Sequence, residues 1–463
     1  MPTMMFKQCV KRLCGASAIL TLGAGILLLA TKVSAAVVGE VEFSRGVGMA
    51  YVEGHNPRTL GKGLPLNEGD HLMTSTGAIA IIKLQDGTRM TLRPNSELVI
   101  QQYRFTENAA DNSMVLRLLE GGFRAITGQI SKNAPDAAKV ITQTSTISIR
   151  GTDFDARICA ADCKAESARV PEKARLNMVQ ASAKLVNAQG DINALDSAGA
   201  RRRLVGGASV YSGETVETGA AATTILAFHD DSRLTLGPTT RFRVDSYVFD
   251  EKNASKGRSF VSLLRGSMRA ATGLIGKENK SNVGYTTPTA TIGIRGTGLD
   301  LDCPVAQEDI KAGDGCSFFT WLGSIAVTQN GQTTPHVLDA GQGLFVSKTE
   351  VRPLNQSTLQ NLQRPDGVTV DTKQLFSVGL LNDEREGLFV FVRDGHIEIT
   401  TPIQTLHLGR GETGFAAANG ETVRPLEQPR FMEFDSTPLP SSINPMLLTV
   451  LSENGIRAAD LCK

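Results

Sequence analysis

An all-β fold is what this sequence predicts, and three observations predict it. Gly, Thr, Val and Ile are plentiful while helix-favouring clusters are few. Short alternating apolar runs recur, closed by turn words such as Asp86-Gly87. The third observation is a long stretch that occurs twice.

Residues 118–128 read Leu-Leu-Glu-Gly-Gly-Phe-Arg-Ala-Ile-Thr-Gly, and residues 146–152 read Thr-Ile-Ser-Ile-Arg-Gly-Thr. Residues 263–273 read Leu-Leu-Arg-Gly-Ser-Met-Arg-Ala-Ala-Thr-Gly, and residues 291–297 read Thr-Ile-Gly-Ile-Arg-Gly-Thr. Both words return after 145 positions, so the spacing inside the unit is kept along with the words. A period this long marks a duplicated domain, because solenoid repeats are much shorter.

The chain of 463 residues is long enough for two to four cores. Its 48 basic and 47 acidic residues leave a net charge of +1. That gives no electrostatic case for nucleic acid or an anionic membrane surface. Near the start, Lys7, Lys11 and Arg12 precede an uncharged apolar run at 13–30, and Val33-Ser34-Ala35 supplies small residues before Ala36. This is the pattern of a secretory signal over 1–36 with cleavage near Ala35. The alternative is an uncleaved single-span anchor, and the protein meets a membrane only in that case.

Residues 37–160 form the first expected unit. Residues 78–84 and 88–92 are alternating runs around the Gln85-Asp86-Gly87 turn and predict a hairpin. Asp230-Asp231 stands in the same place in the second copy, where loss of the Gly weakens the turn without abolishing it. Residues 161–184 are charged and Ala-rich, an expected linker with a helix start at Pro171-Glu172-Lys173-Ala174. The second unit, with C-terminal β-rungs, is expected over 185–350. Arg201-Arg202-Arg203 opens it, and is read as a solvated loop in preference to a contact for an anionic partner.

A shorter doubled pattern follows. Residues 323–327 with 338–345 resemble residues 395–399 with 406–412, and a third smaller β unit is expected over 351–430. Residues 431–463 are an expected Pro-rich tail, with a short helix over 446–451 entered through Pro445.

Five cysteines follow the apolar run. In an oxidising compartment the expected pairs are Cys159–Cys163 and Cys303–Cys316, each inside its own repeat, with Cys462 left over. A zinc site needs four ligands together, and no His lies near either pair. The Asp pairs after each Arg-Gly-Thr supply too few oxygens for Ca²⁺. Gly409-Arg410-Gly411-Glu412-Thr413-Gly414 fits a dinucleotide fingerprint, but the residues after it are too short for the helix that fingerprint opens, so it reads as a β-turn. Neither a metalloprotease His pair, a phosphate loop nor a Ser elbow is present, and no catalytic residue, metal or cofactor is expected.

The motif residues have a structural reading instead. Ile147 and Ile149, like Ile292 and Ile294, bury one strand face. Gly151 and Gly296 permit a sharp bend before Thr152 and Thr297. Arg124, Arg150, Arg269 and Arg295 are expected as internal clasps on a carboxylate, with Asp86 and Asp230 as candidates.

The words Asp-Gly-(Thr/Ser)-x-(Met/Leu)-x-Leu-x-Pro, Leu-x-x-Gly-x-x-Arg-x-x-Thr-Gly and Ile-x-Ile-Arg-Gly-Thr, in order and twice, resemble the FecR-domain family over roughly 60–158 and 204–303. The resemblance implies compact, solenoid-like hairpin domains in the bacterial periplasm or envelope. The family's namesakes are single-span regulators in which a cytoplasmic segment controls a sigma factor and the periplasmic part senses an outer-membrane transporter. Only twelve residues precede the apolar run here, too few for that cytoplasmic segment. What the resemblance implies is therefore a non-catalytic exported module that binds a protein or glycan partner in the envelope. The alternative is a periplasmic signalling component acting with a membrane regulator or TonB-dependent receptor.

Overall fold

The protein was analysed as a computed structural model that describes residues 36–134, 136–294, 296–381 and 385–433. The expected signal segment, the leftover Cys462 and the helix over 446–451 lie outside the described residues, as does Arg295.

Strands dominate, as expected, and they fall into two curled sheets. The hairpin at Asp86 forms as the sequence predicts: Ile79–Leu84 pairs with Arg89–Leu92, and Gly87 turns the chain at φ +87°. The second copy repeats it, with Thr223–Phe228 paired to Arg233–Leu236. There Asp231 itself adopts φ +67°, a conformation that a short polar side chain tolerates at a modest energetic cost.

After each hairpin the chain makes a crossover to a parallel strand. Ser113–Glu120 runs beside Ala138–Ile141, and Arg258–Ala271 beside Val283–Thr286. A one-turn helix, Gln129–Asn133 or Leu274–Glu278, sits in each crossover. Its entry is a glycine of necessity: a Cβ at Gly128 or Gly273 would fall 2.2 or 2.1 Å from the carbonyl oxygen of Asp86 or Asp230. Thr127 and Thr272 then lock the crossover onto the Arg-Gly-Thr bend. The Thr127 hydroxyl accepts from the Thr152 amide at 2.8 Å and donates to the Thr152 carbonyl at 3.1 Å; Thr272 and Thr297 repeat both bonds.

The two copies differ in how they are completed. In the second, Ala290–Ile294 and Gly298–Cys303 pair with the strands that follow directly, Ser324–Gln329 and Gly315–Leu322. In the first, the 14-residue strand Thr146–Cys159 finds its outer partner in Gly387–Thr400, with Ile149 opposite Ile397 and Phe154 opposite Val392. Thr405–Leu408 and Thr413–Ala416 then cover Gly387–Thr400, as His336–Asp339 and Gly343–Ser347 cover the equivalent strands of the second copy.

The hydrophobic cores follow the same partition. One cluster unites Val41, Leu92, Phe123 and Phe154 with Val390, Ile397 and Leu408; the other runs from Ala183 to Val346. Of residues 351–430, expected as a third unit, the strands from Gly387 on pair into the first sheet and share its core, while Val351–Leu354 pairs with Gly343–Ser347 in the second. We call the first sheet with its core the first body and the other the second body. The second body is threaded between the two parts of the first.

Two local expectations need correction. The linker helix is Asp162–Ser167, ahead of Pro171. It is fixed there because Arg157, 1% exposed, reaches Asp162 at 2.6 Å and Glu166 at 2.7 Å on the helix. Arg201–Arg203 is a strand paired with Ile192–Leu195, with Arg202 tied to Glu214.

This partition generates a prediction. A chain ending at residue 380 lacks the outer partner of Thr146–Cys159, so limited proteolysis degrades the first body while a fragment near 181–354 survives. Survival of the first body in that truncation would overturn the pairing scheme.

Candidate functional site

Two of the motif arginines, Arg124 and Arg269, clasp buried carboxylates, but not the ones expected. Arg124 meets Asp155 at 2.6 Å across the pair formed by Gly122–Ile126 and Thr146–Cys159. Arg269 meets Asp300 at 2.9 Å in the same place of the second copy. All four side chains are nearly buried, the aspartates at 2–3% exposure. A second group grips each carboxylate: Arg393 on Asp155 and the Trp321 indole on Asp300, both at 2.9 Å.

Asp86 and Asp230 do other work. Asp86 accepts from the Thr88 amide and hydroxyl and from the Ile130 amide, while Tyr103 accepts from the Asp86 amide at 2.7 Å. Asp230 repeats the arrangement with Ser232, Ile275 and Tyr247. Each pins its hairpin to the crossover helix, an Asx-turn use that an Asp at a turn favours.

Removing a clasp arginine leaves a buried carboxylate short of its charge partner, which typically costs about 3–5 kcal/mol. Arg269→Ala is therefore expected to lower stability on that scale by urea unfolding, and Arg269→Lys to restore little, because a point charge cannot serve Asp300 and the Leu359 and Leu362 carbonyls together.

The joint between the bodies is built from residues to which sequence reasoning assigned no contact. Lys184, on the first strand of the second body, is fully buried against Glu412 at 3.2 Å and donates to the His407 carbonyl at 3.0 Å. Arg424 closes the cluster on Glu412 at 2.9 Å and on the Gln374 carbonyl at 3.0 Å. Tyr211 accepts from the Arg410 amide at 2.7 Å, and the Arg410 guanidinium lies 4.6 Å from its ring centre. Glu412 and Arg410 belong to the Gly409–Gly414 word. It is a β-turn as expected, and it is also part of the contact between the two bodies.

Burial pushes the Glu412 carboxyl up, but Lys184 and Arg424 outweigh that and hold it below its ordinary range. Burial brings Lys184 down to about 8, so it stays charged at neutral pH. Burial, then Lys184 and Arg424, push His407 down to about 4, and its ring stacks 5.5 Å from that of buried His396.

His407 makes the joint acid-sensitive. Its folded value lies below the ordinary 6.5, so between those pH values the unfolded chain binds the extra proton. The stabilising effect is whole above pH 6.5 and drains as the pH falls towards 4, by roughly 3 kcal/mol at the full shift. The urea midpoint is expected to fall between pH 7 and 4.5, and to fall less steeply in His407→Gln.

Beside the joint lies a cleft of about 370 Å³. The first body contributes Lys132, Arg150, Gly151, Asp394 and Arg410 to it, and the second contributes Arg201–Arg203, Val205 and Glu214. Arg150 is thus not a core clasp: it pairs with Asp136 at 2.7 Å and with Glu398 at 3.5 Å at the cleft wall. Gly151, at φ +65°, turns the backbone there, and Gly296 holds the same conformation at φ +75°. Cys159–Cys163 and Cys303–Cys316 are disulfides, each at the far end of an Arg-Gly-Thr strand.

Sequence signals for the joint were present but faint. Lys184 stands between Ala183 and Leu185, a cation in a buried run, and Glu412 sits inside a Gly-rich turn. Neither word names its partner more than 200 residues away.

Comparison with known proteins adds the following. The family model described as FecR protein matches the chain twice, over residues 70–170 and 214–312. Two crystal structures from Parabacteroides distasonis, at 2.50 and 1.65 Å and assigned there to an anti-sigma factor, are 12% identical with a TM-score of 0.25. The likeness covers 32% of this chain and 62% of theirs, so the chain spans less than two thirds of those relatives. No curated protein matches.

Proposed function

From a chain that carries the FecR domain twice, we propose a non-catalytic interaction module exported to the cell envelope. The FecR matches support a module of the regulatory or signalling kind. The observation that carries the reading is where the repeated residues point. Arg124 and Arg269 face buried aspartates inside each body, and the backbone of Thr152 and Thr297 is bonded by the Thr127 and Thr272 hydroxyls within it. These described signature residues serve architecture, Arg150 at the cleft wall excepted, which leaves recognition to surfaces that differ between the copies. We take the partner to be a protein or glycan of the envelope, with no nucleic acid involved.

The same reading includes a division of the chain. Residues 37–175 and 377–433 form one domain, and the second FecR copy with its closing strands is inserted into it. Two disulfides support export, since thiols are kept reduced in the cytosol. The second reading, a signalling component acting with a membrane regulator or TonB-dependent receptor, is favoured by the FecR matches themselves.

Two measurements test these readings. Expressed in a bacterial host, the chain is expected in the periplasm with a mature N-terminus near Ala36 and with non-reduced peptides joining Cys159 to Cys163 and Cys303 to Cys316. Free thiols in a cytosolic pool would refute export. Mild periplasmic crosslinking then separates the two roles: a TonB-dependent receptor or anti-sigma protein supports signalling, and peptidoglycan or structural envelope proteins support a scaffold.

A further inference from the structure

We propose that the cleft between the two bodies binds a small, multiply charged oxyanion of phosphate or carboxylate chemistry. This goes beyond the interaction-module reading and does not depend on which macromolecular partner the module has.

Six cations line the cleft, Lys132, Arg150, Arg201, Arg202, Arg203 and Arg410, against three acids. Two of the acids are already engaged. Glu214 is held by Arg202 through two 2.8 Å bonds and accepts from the Tyr211 amide. Asp196 accepts from the Ala198 and Ala200 amides of its own turn. Arg150 and Arg201 are balanced by Asp136 and Glu217 outside the cleft. Lys132, Arg203 and Arg410 form no ion pair among the described residues.

Like charges drawn together from two separate bodies repel, and a cleft with protein walls focuses their field. An anion relieves that repulsion. The cations are also held in place before any ligand arrives. Arg410 is anchored twice on Tyr211, by its backbone and by its guanidinium, and Arg202 lies 5.7 Å from the same ring centre. Guanidinium forks fixed in this way match the paired oxygens of a phosphate or carboxylate and lose little freedom on binding. The volume, about 370 Å³, suits a ligand of a few charged groups. A net charge of +1 over the whole chain argues against a long polyanion as the occupant.

The test uses the mature chain with both disulfides formed, in low salt (about 20 mM), where charge contacts are least screened. Calorimetric titrations are run with inorganic pyrophosphate and with tricarballylate, the two probes separating phosphate from carboxylate chemistry. Saturable binding of at least one probe is expected. Arg203→Gln with Arg410→Gln is expected to weaken it by about tenfold or more, as loss of hydrogen bonds to charged groups does. Arg241→Gln, outside the cleft and paired with Glu217, should change it by less than about twofold. Urea midpoints confirm that each variant is folded. Absence of binding by either probe, or binding that the double substitution leaves intact, overturns the proposal.

Discussion

A long interior strand has two edges, and both must be paired. Thr146–Cys159 meets its inner edge locally, through Gly122–Ile126 and Ala138–Ile141, but nothing nearby in the chain can cover the other. Gly387–Thr400 does so, over almost the full length of the strand. An uncovered row of amides and carbonyls there would leave Ile147, Ile149 and Phe154 with half a core and an aggregation-prone edge. That requirement accounts for the threading of the second body through the first, and for the joint and cleft where the two meet.

The two copies also show how a duplicated site diverges while its framework holds. Asp155 and Asp300 occupy one position, yet the second grip on each is a guanidinium in one copy and an indole in the other. The change brings a charge to the first body and a stacking surface to the second, where Arg364 lies 3.9 Å from the Trp321 ring centre. The turn after the closing strand diverges likewise. Glu412 in the first body carries the buried charge that receives Lys184, whereas the Gln342 side chain at the matching turn accepts from the Asp339 amide beside it. A neutral residue at the one end and an acid at the other decide which body docks on which.

Local chemistry was legible in the sequence, and distant pairing was not. The Asp86-Gly87 turn and both disulfides depend on neighbours within one repeat, so period and turn residues reveal them. The partner of the motif arginines was misassigned because Asp86 and Asp155 are equally available to a reader of spacing; only the strand register places Asp155 across from Arg124. Residues 395–412 were recognisable as a copy of 323–345, but a resemblance says nothing of which sheet receives the copy. Arg201–Arg203 read as a solvated loop because its partners, Glu214 and Glu217, become neighbours only through strand pairing.

The threaded topology also sets the order in which the protein can be made. During synthesis the first body emerges incomplete and waits roughly 230 residues for its last strands. The second body has all its strands in hand well before then. Once it folds, the loop that the first must close shrinks to the segments flanking the insertion. About two halvings of loop length save roughly 1 kcal/mol of closure entropy. The inserted copy thus acts as a template that brings the ends of its host together on the ribosome.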